Sequence, residues 1–252
     1  MIYGFHLSAQ GAQAQASRLE VIANNLANAG TTAFKKAMAV FQDNRTYDRE
    51  TGRPDEAPGN LNASTGGLTL ADVVTDYSQG PLKETGGHLD VAIAGRGFLQ
   101  VTDGKNQRFL TRNGNLGINT AGELVLLGSG HRVLSTEGES IKLTSGGGPV
   151  QINQDGTISQ GGATVGRIGL YEPASTAQLQ KAGDSLYSPT GPVRAADGTV
   201  RVKQGFLEGS GTNSVTEMLA MIQASRGFET NVNKIRHQDD TMALLLQSLT
   251  RR

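Results

Sequence analysis

The chain has 252 residues, with 34 glycines, 7 prolines, no tryptophan and 5% aromatics. That composition is light in large apolar side chains and suits many short strands joined by tight turns. Basic and acidic residues number 23 each, so the formal net charge is zero. A general electrostatic attraction to nucleic acid or anionic lipid is thereby excluded. The absence of cysteine excludes disulfides, thiol catalysis, zinc–thiolate sites and lipid attachment through a thiol. A near-neutral chain resists self-association only weakly, which a polymerising protein tolerates.

The opening residues, "MIYGFHLSAQGAQAQASRLE", have no basic start and no continuous apolar run. The expectation is neither a secretory signal peptide nor a membrane span, so any route out of the cytosol reads no cleavable signal. Residues 3 to 28 carry a helical repeat. Phe5, Ala12, Leu19 and Leu26 recur at heptad spacing, with Ala9, Ala16 and Ala23 on the intervening line. From Met1 to Phe34 the only charged side chains are Arg18 and Glu20. The outer face offers Gln10, Gln13, Gln15, Ser17, Asn24 and Asn25 instead. Uncharged polar groups are buried at far lower cost than charges, so this helix is expected to be contacted on several sides.

The helix runs into "ANNLANAGTTAFKK". Asn28 and Gly30 suit a helix stop, because both accept the left-handed conformation past a C-cap. Asn24 and Asn25 lie one turn earlier and are not needed for stopping. Their amides are expected to bridge neighbouring chains, with Phe34 as an anchor for the extended segment that follows.

Residues 43–67 contain almost no apolar side chain and read as a polar insertion within an extended linker at 36–79. From Leu68 to Phe206 the period changes to two, and the β-rich body is set at 80–206. Asp103-Gly104 between "GFLQV" and "QRFLTR" signals a hairpin. Asn113-Gly114, Ala121-Gly122, Asp155-Gly156 and Asp197-Gly198 continue the series, which points to an all-β domain rather than βαβ units. Residues 213 to 250 return to a heptad pattern through Met221, Phe228, Ile235, Met242 and Leu249. Helices of this kind need a partner in water, and the simplest arrangement pairs the two chain ends. The fold expected is α+β. Residues 1–35 and 213–252 form terminal helices paired as a coiled coil, and an all-β domain of short strands is inserted between them.

Catalytic chemistry is hard to find. His6, His88, His131 and His237 lie far apart with no metal-ligand spacing. The phosphate-loop, dinucleotide and nucleophile-elbow motifs are missing. "AGRGF" (Ala94 to Phe98) sits inside a strand pattern, where a bulge or close backbone approach is expected. Asp239 and Asp240 point about 100° apart on a helix and read as a solvated face. No catalytic residue, cofactor or metal is expected.

The run Asn24, Asn25, Leu26, Ala27, Asn28, Thr31, Phe34, Lys35 resembles the N-terminal signature of the bacterial flagellar rod and hook proteins. It departs at Ala33, where that family usually has glycine, and alanine resists a positive φ. "LDVAIAGRGFLQV" (Leu89 to Val101) and "TRNGNLGINTAGELV" (Thr111 to Val125) are similar to the family's central motifs. Glu208, Ser210, Asn213, Val215, Glu217, Met221, Ile222, Arg226, Phe228 and Glu229 match the C-terminal signature. The length is similar to that of the proximal and distal rod subunits of the basal body.

The resemblance implies a structural subunit that polymerises helically into a tube and transmits torque from motor to hook. It implies homo-oligomerisation, contact with other rod and hook proteins, and passage through the flagellar type III export apparatus. No nucleic acid and no membrane insertion are implied. The subunit-packing residues expected are Phe5, Leu19, Asn24, Asn25, Leu26, Asn28, Phe34, Met221, Arg226, Phe228, Ile235 and Met242. Within that set Phe5, Leu19 and Leu26 are expected to face Phe228, Ile235 and Met242. The alternative is a secreted cell-wall-binding or cell-wall-hydrolysing β-domain with oligomerisation helices.

Overall fold

A computed structural model describes residues 2–44, 67–144 and 146–250. The chain is α+β, with a helix at each end and a β-rich middle. It divides into two units. One comprises Met1–Ala27, Ala37–Asp76 and Asn213–Arg252, and the other Asn28–Lys36 and Tyr77–Thr212.

The first unit contains helix α1 (Ile2–Ala27), strands β1 (Ala37–Asp43) and β2 (Leu68–Thr75), and helix α2 (Ser214–Thr250). Alanine and glutamine give α1 its length, since both lose little side-chain freedom in a helix. Asn213 caps α2: its side-chain oxygen accepts from Val215 N at 2.9 Å and Thr216 N at 3.4 Å. The helices lie antiparallel, and three of their glycines sit against side chains of the facing helix. A Cβ on Gly4 would stand 3.0 Å from Gln238, one on Gly11 3.1 Å from Asn231, and one on Gly227 3.2 Å from Gln15. Each glycine costs a helix about 1 kcal/mol relative to alanine, and here it lets an amide of the facing helix lie against the backbone.

β1 and β2 form an antiparallel ribbon from Ala37↔Thr75 to Asp43↔Leu68, with a register shift between Val40 and Phe41. The sequence places both segments in or beside an extended linker. They pair because "AMAVF" and "LTLADVV" are rich in β-formers, and a ladder between such distant segments has no local signal. Most of the polar insertion at 43–67 lies outside the described residues.

The second unit is antiparallel throughout. In its main sheet the neighbours run Leu179–Gly183, Leu186–Pro189, Arg108–Thr111, Phe98–Thr102, Arg132–Val133, Leu124–Leu126 and Leu116–Ile118. Val91, Ile93, Leu99, Val101, Leu110, Leu124 and Val133 are essentially sealed from water in its core. The hairpin signals divide into two kinds. Asp103-Gly104 closes Phe98–Thr102 onto Arg108–Thr111, with the Asp103 carboxylate accepting from Lys105 N and Gln107 N, both at 2.8 Å. Gly122 and Gly156 likewise sit in hairpin turns at positive φ. Asn113-Gly114 is a close approach instead: Val91 N donates to Gly114 O at 2.9 Å, and a Cβ on Gly114 would lie 1.8 Å from Val91 O. Gly97 in "AGRGF" is also a close approach, 3.0 Å from Val200 Cγ1.

No helix among the described residues is long and apolar enough to cross a membrane.

Replacing Gly114 by alanine pushes Val91 off its strand and is expected to destabilise this unit by at least about 2 kcal/mol. Gly104→Ala, where nothing lies within 4 Å of the added Cβ, is expected to stay within about 0.5 kcal/mol. Denaturant midpoints of the two variants check this.

Candidate assembly site

The asparagine signature divides between the two units. Asn25 is buried at the last turn of α1, and its amide reads the Ala37 backbone in both directions: Nδ2 donates to Ala37 O at 2.8 Å and Oδ1 accepts from Ala37 N at 2.9 Å. The amide thus acts as one rung of a ladder at the head of β1. This corrects the expectation for Asn25, because its hydrogen-bonding groups are used within the chain. Asn24, one residue before, is exposed. Asn28 shapes the turn past the helix. Its carbonyl accepts from Thr31 N at 3.1 Å and Ser210 Oγ at 2.9 Å, and its side-chain oxygen from Thr31 Oγ1 at 3.1 Å.

Residues 31–36 are strapped onto the second unit. Thr32 O accepts from Ser185 Oγ at 3.0 Å, Phe34 O from Gly211 N at 2.8 Å, and Lys35 O from Lys181 Nζ at 3.1 Å. Lys181 Nζ also lies 5.1 Å over the Phe34 ring, and burial lowers the pKa of that amine. Ala33 has φ +55 and is fully buried, and its N–H donates to Glu208 O at 2.8 Å. The backbone therefore adopts a left-handed conformation that glycine would reach without strain. Alanine tolerates it at a cost of about 1–2 kcal/mol because its neighbours fix it there.

At the centre is an ion cluster shut off from water. Glu208 Oε1 accepts from Lys35 Nζ at 2.6 Å and Gly80 N at 2.9 Å, and Oε2 from Arg112 Nη1 at 3.1 Å. Lys35, Arg112 and Glu208 side chains are 1%, 4% and 0% exposed. Carbonyls add to the cluster: Lys35 Nζ donates to Ser78 O at 2.6 Å and Arg112 Nη2 to Gly95 O at 2.5 Å. Arg112 also lies 5.1 Å over Phe98, inside an edge-to-face cluster with Tyr77 and Tyr187. Burial, first of all, raises the Tyr187 phenol well above its ordinary range, so that side chain stays neutral.

Phe5 is 45% exposed, Phe228 and Met242 are each 36% exposed, and Leu19, Leu26, Met221 and Ile235 are half-buried. Arg226 is exposed. Ala12, on the same heptad line, is buried, as are Ala14, Ile22 and Ala224, and Gly4, Gly11 and Gly227, one position from that line, sit against side chains of the facing helix. Glycine carries no weight in an apolar count, although Gly4 and Gly11 share the heptad spacing. Sequence reasoning also missed the ion cluster. Its signal was one of two adjacent lysines, Lys35 and Lys36, and a single glutamate, Glu208, each beside an apolar strand-like run. Among the described residues no group of three His, Cys, Asp or Glu could hold a metal ion.

Three family models match the chain. They are a flagellar basal-body rod protein model over residues 6–35, a flagellar hook protein D1-domain model over 92–160, and a flagellar basal-body rod FlgEFG C-terminal model over 203–248. Among curated relatives, the flagellar basal-body rod protein FlgF of Caulobacter vibrioides is 35% identical over 84% of this chain and 83% of its own length. FlgG of Agrobacterium fabrum is 33% identical over 96% of this chain and 98% of its own, and FlgG of Bacillus subtilis 33% identical over 91% and 92%. These matches place the chain among the structural proteins of the flagellar basal body. The chain belongs to the flagellar basal-body rod family, in the FlgF/FlgG group.

Removing the Glu208 carboxylate takes a buried partner from both Lys35 and Arg112, and Glu208→Ala is expected to cost about 3–5 kcal/mol. In a cycle of Lys35→Met and Glu208→Gln, the two single losses are expected to exceed the double loss by about 1–3 kcal/mol. Additive losses in urea titrations would show that the two side chains are not coupled.

Proposed function

We propose that this chain is a structural subunit of the flagellar basal-body rod that polymerises helically and transmits torque from motor to hook. The observation that carries the reading is the surface of the helix–ribbon unit. Phe5 on α1, Met38, Val40, Leu70, Val73 and Val74 on the ribbon, and Val215, Leu219 and Leu244 on α2 are all exposed, each above a third. Apolar side chains on several faces of one thin unit suit contacts with other chains. The second unit, by contrast, closes its own core.

The terminal helices serve as a coiled coil in the rod. Phe5, Leu19, Leu26, Met221, Phe228, Ile235 and Met242 contact neighbouring copies, and Asn24, Asn28, Phe34 and Arg226 bridge between them. The partners are further copies of this chain, other rod and hook proteins, and the flagellar type III export apparatus. The place of work is the basal body. The cell-wall hydrolase alternative has no support from the relatives, which are named as rod proteins.

Leu26→Asp places a charge at the end of α1 on the packing line. The variant is expected to be secreted poorly, stay monomeric and fail to restore swimming to a strain lacking the wild-type chain. Swimming restored to wild-type levels would contradict the packing role of this line.

A further inference from the structure

The chain has neither cysteine nor tryptophan, so methionine is the side chain that a mild oxidant meets first. Apart from Met1, the methionines are Met38, Met218, Met221 and Met242, and all four lie in the helix–ribbon unit. The β-rich unit has none and builds its core from leucine, isoleucine and valine. Met38, Met218 and Met242 are 44%, 46% and 36% exposed, whereas Met221 is half-buried. Each exposed methionine has exposed apolar neighbours. Met38 lies opposite Val74 in the ribbon, with Val40 two residues along the same face. Met218 has Val215 and Ile222 one turn away on either side, and Met242 has Leu245 and Leu246 one turn on. An unbranched, polarizable thioether adapts well to a contact surface. It is also the one apolar group on these surfaces that oxidation turns polar.

We propose that Met38, Met218 and Met242 are oxidation sites that control entry into the rod: a peroxide converts them to sulfoxides in the free chain, the oxidised chain is kept out of the assembly, and a thiol-dependent sulfoxide reductase readmits it. The thioether sulfur attacks one peroxide oxygen. An S–O bond forms as the O–O bond breaks, sulfur gives up two electrons, and water leaves. In the reverse step two thiols supply the electrons and end as a disulfide, and the sulfoxide oxygen departs as water. The sulfoxide oxygen is a strong acceptor, and covering it without a donor beside Val40, Val215 or Leu246 is unfavourable. Assembly covers the same side chains and shields the sulfur, so the sensitive stage is the free subunit. The β-rich unit keeps its fold through the same exposure, because it carries no sulfur. The proposal rests on the rod reading above and adds a chemical condition on entry.

The test starts with the purified chain in hydrogen peroxide, followed by peptide mass spectrometry. Met38, Met218 and Met242 are expected to gain one oxygen each ahead of Met221. A strain lacking the chain then receives either the wild-type chain or the triple variant Met38→Leu, Met218→Leu, Met242→Leu, which keeps similar volume and removes the sulfur. Both strains are grown through a peroxide pulse and new flagella are counted. The count is expected to fall severalfold with the wild-type chain and to stay near the untreated level with the triple variant. Equal losses in the two strains overturn the proposal. So does the absence of any loss with the wild-type chain, and so does oxidation of Met221 first. The three single leucine variants repeat the comparison, each expected to keep part of the protection, and a wild-type loss in all three overturns the proposal as well. Normal swimming by a strain lacking the chain would defeat the rod reading, whereas these outcomes bear on the oxidation sites alone.

Discussion

The carboxylate of Glu208 holds three partners at once in a place that water does not reach. Lys35 and Arg112 bring charge, and the Gly80 N–H adds a third donor. The backbone carbonyl of the same residue accepts from Ala33. Segments far apart in sequence, around residues 35, 80, 112 and 208, are thus fixed to one another by one side chain. A buried ion group of this kind contributes little net stability compared with apolar packing, but breaking it is costly. Its effect is to specify one arrangement: the segment after α1 has a single docking mode in which Lys35 finds its carboxylate. The left-handed Ala33 persists for the same reason, since the bonds on either side leave it no other conformation.

The two units are built on different energetic plans. The β-rich unit seals large side chains in an antiparallel core and satisfies its turns locally through the side chains of Asp103, Asn119, Asp155 and Ser135. The helix–ribbon unit buries mainly small apolar side chains, Ala12, Ala14, Ala37 and Ala224 with Ile22, sets three glycines against amides, and leaves leucine, methionine and valine in water. A seam of small residues gives close approach but little apolar burial. The stability of this unit therefore depends on what other chains lay against it, which fits a subunit whose work is done in an assembly.

Much of this was legible in the sequence. The change of period near residue 213 marked the C-terminal helix, because helix and strand bury side chains with different rhythms, whereas the change at Leu68 marked a strand that belongs to the helix–ribbon unit. The Asp103-Gly104 hairpin followed from turn chemistry. The signature at Asn24 to Lys35 pointed to the family, but the roles of its residues were not readable. Asn25 faces inward because its amide completes a ladder with Ala37, a contact set by a chain reversal that no local pattern announces. The β1–β2 ribbon and the Glu208 cluster depend on pairings across long stretches of chain. Glycine is silent in an apolar count, so no apolar pattern announced that Gly4, Gly11 and Gly227 lie against side chains of the facing helix.

The central claim is that the signature segment is docked within its own chain before any assembly, while the terminal helices await their neighbours. Residue-resolved hydrogen exchange on the monomer tests it most directly. The account predicts that the amides of Ala33 and Gly211, bonded to Glu208 O and Phe34 O, exchange as slowly as those of the Phe98–Thr102 strand. Amides along α2 should exchange much faster and slow only on assembly. Fast exchange at Ala33 and Gly211, in step with α2, would contradict it and make the docked signature a product of polymerisation.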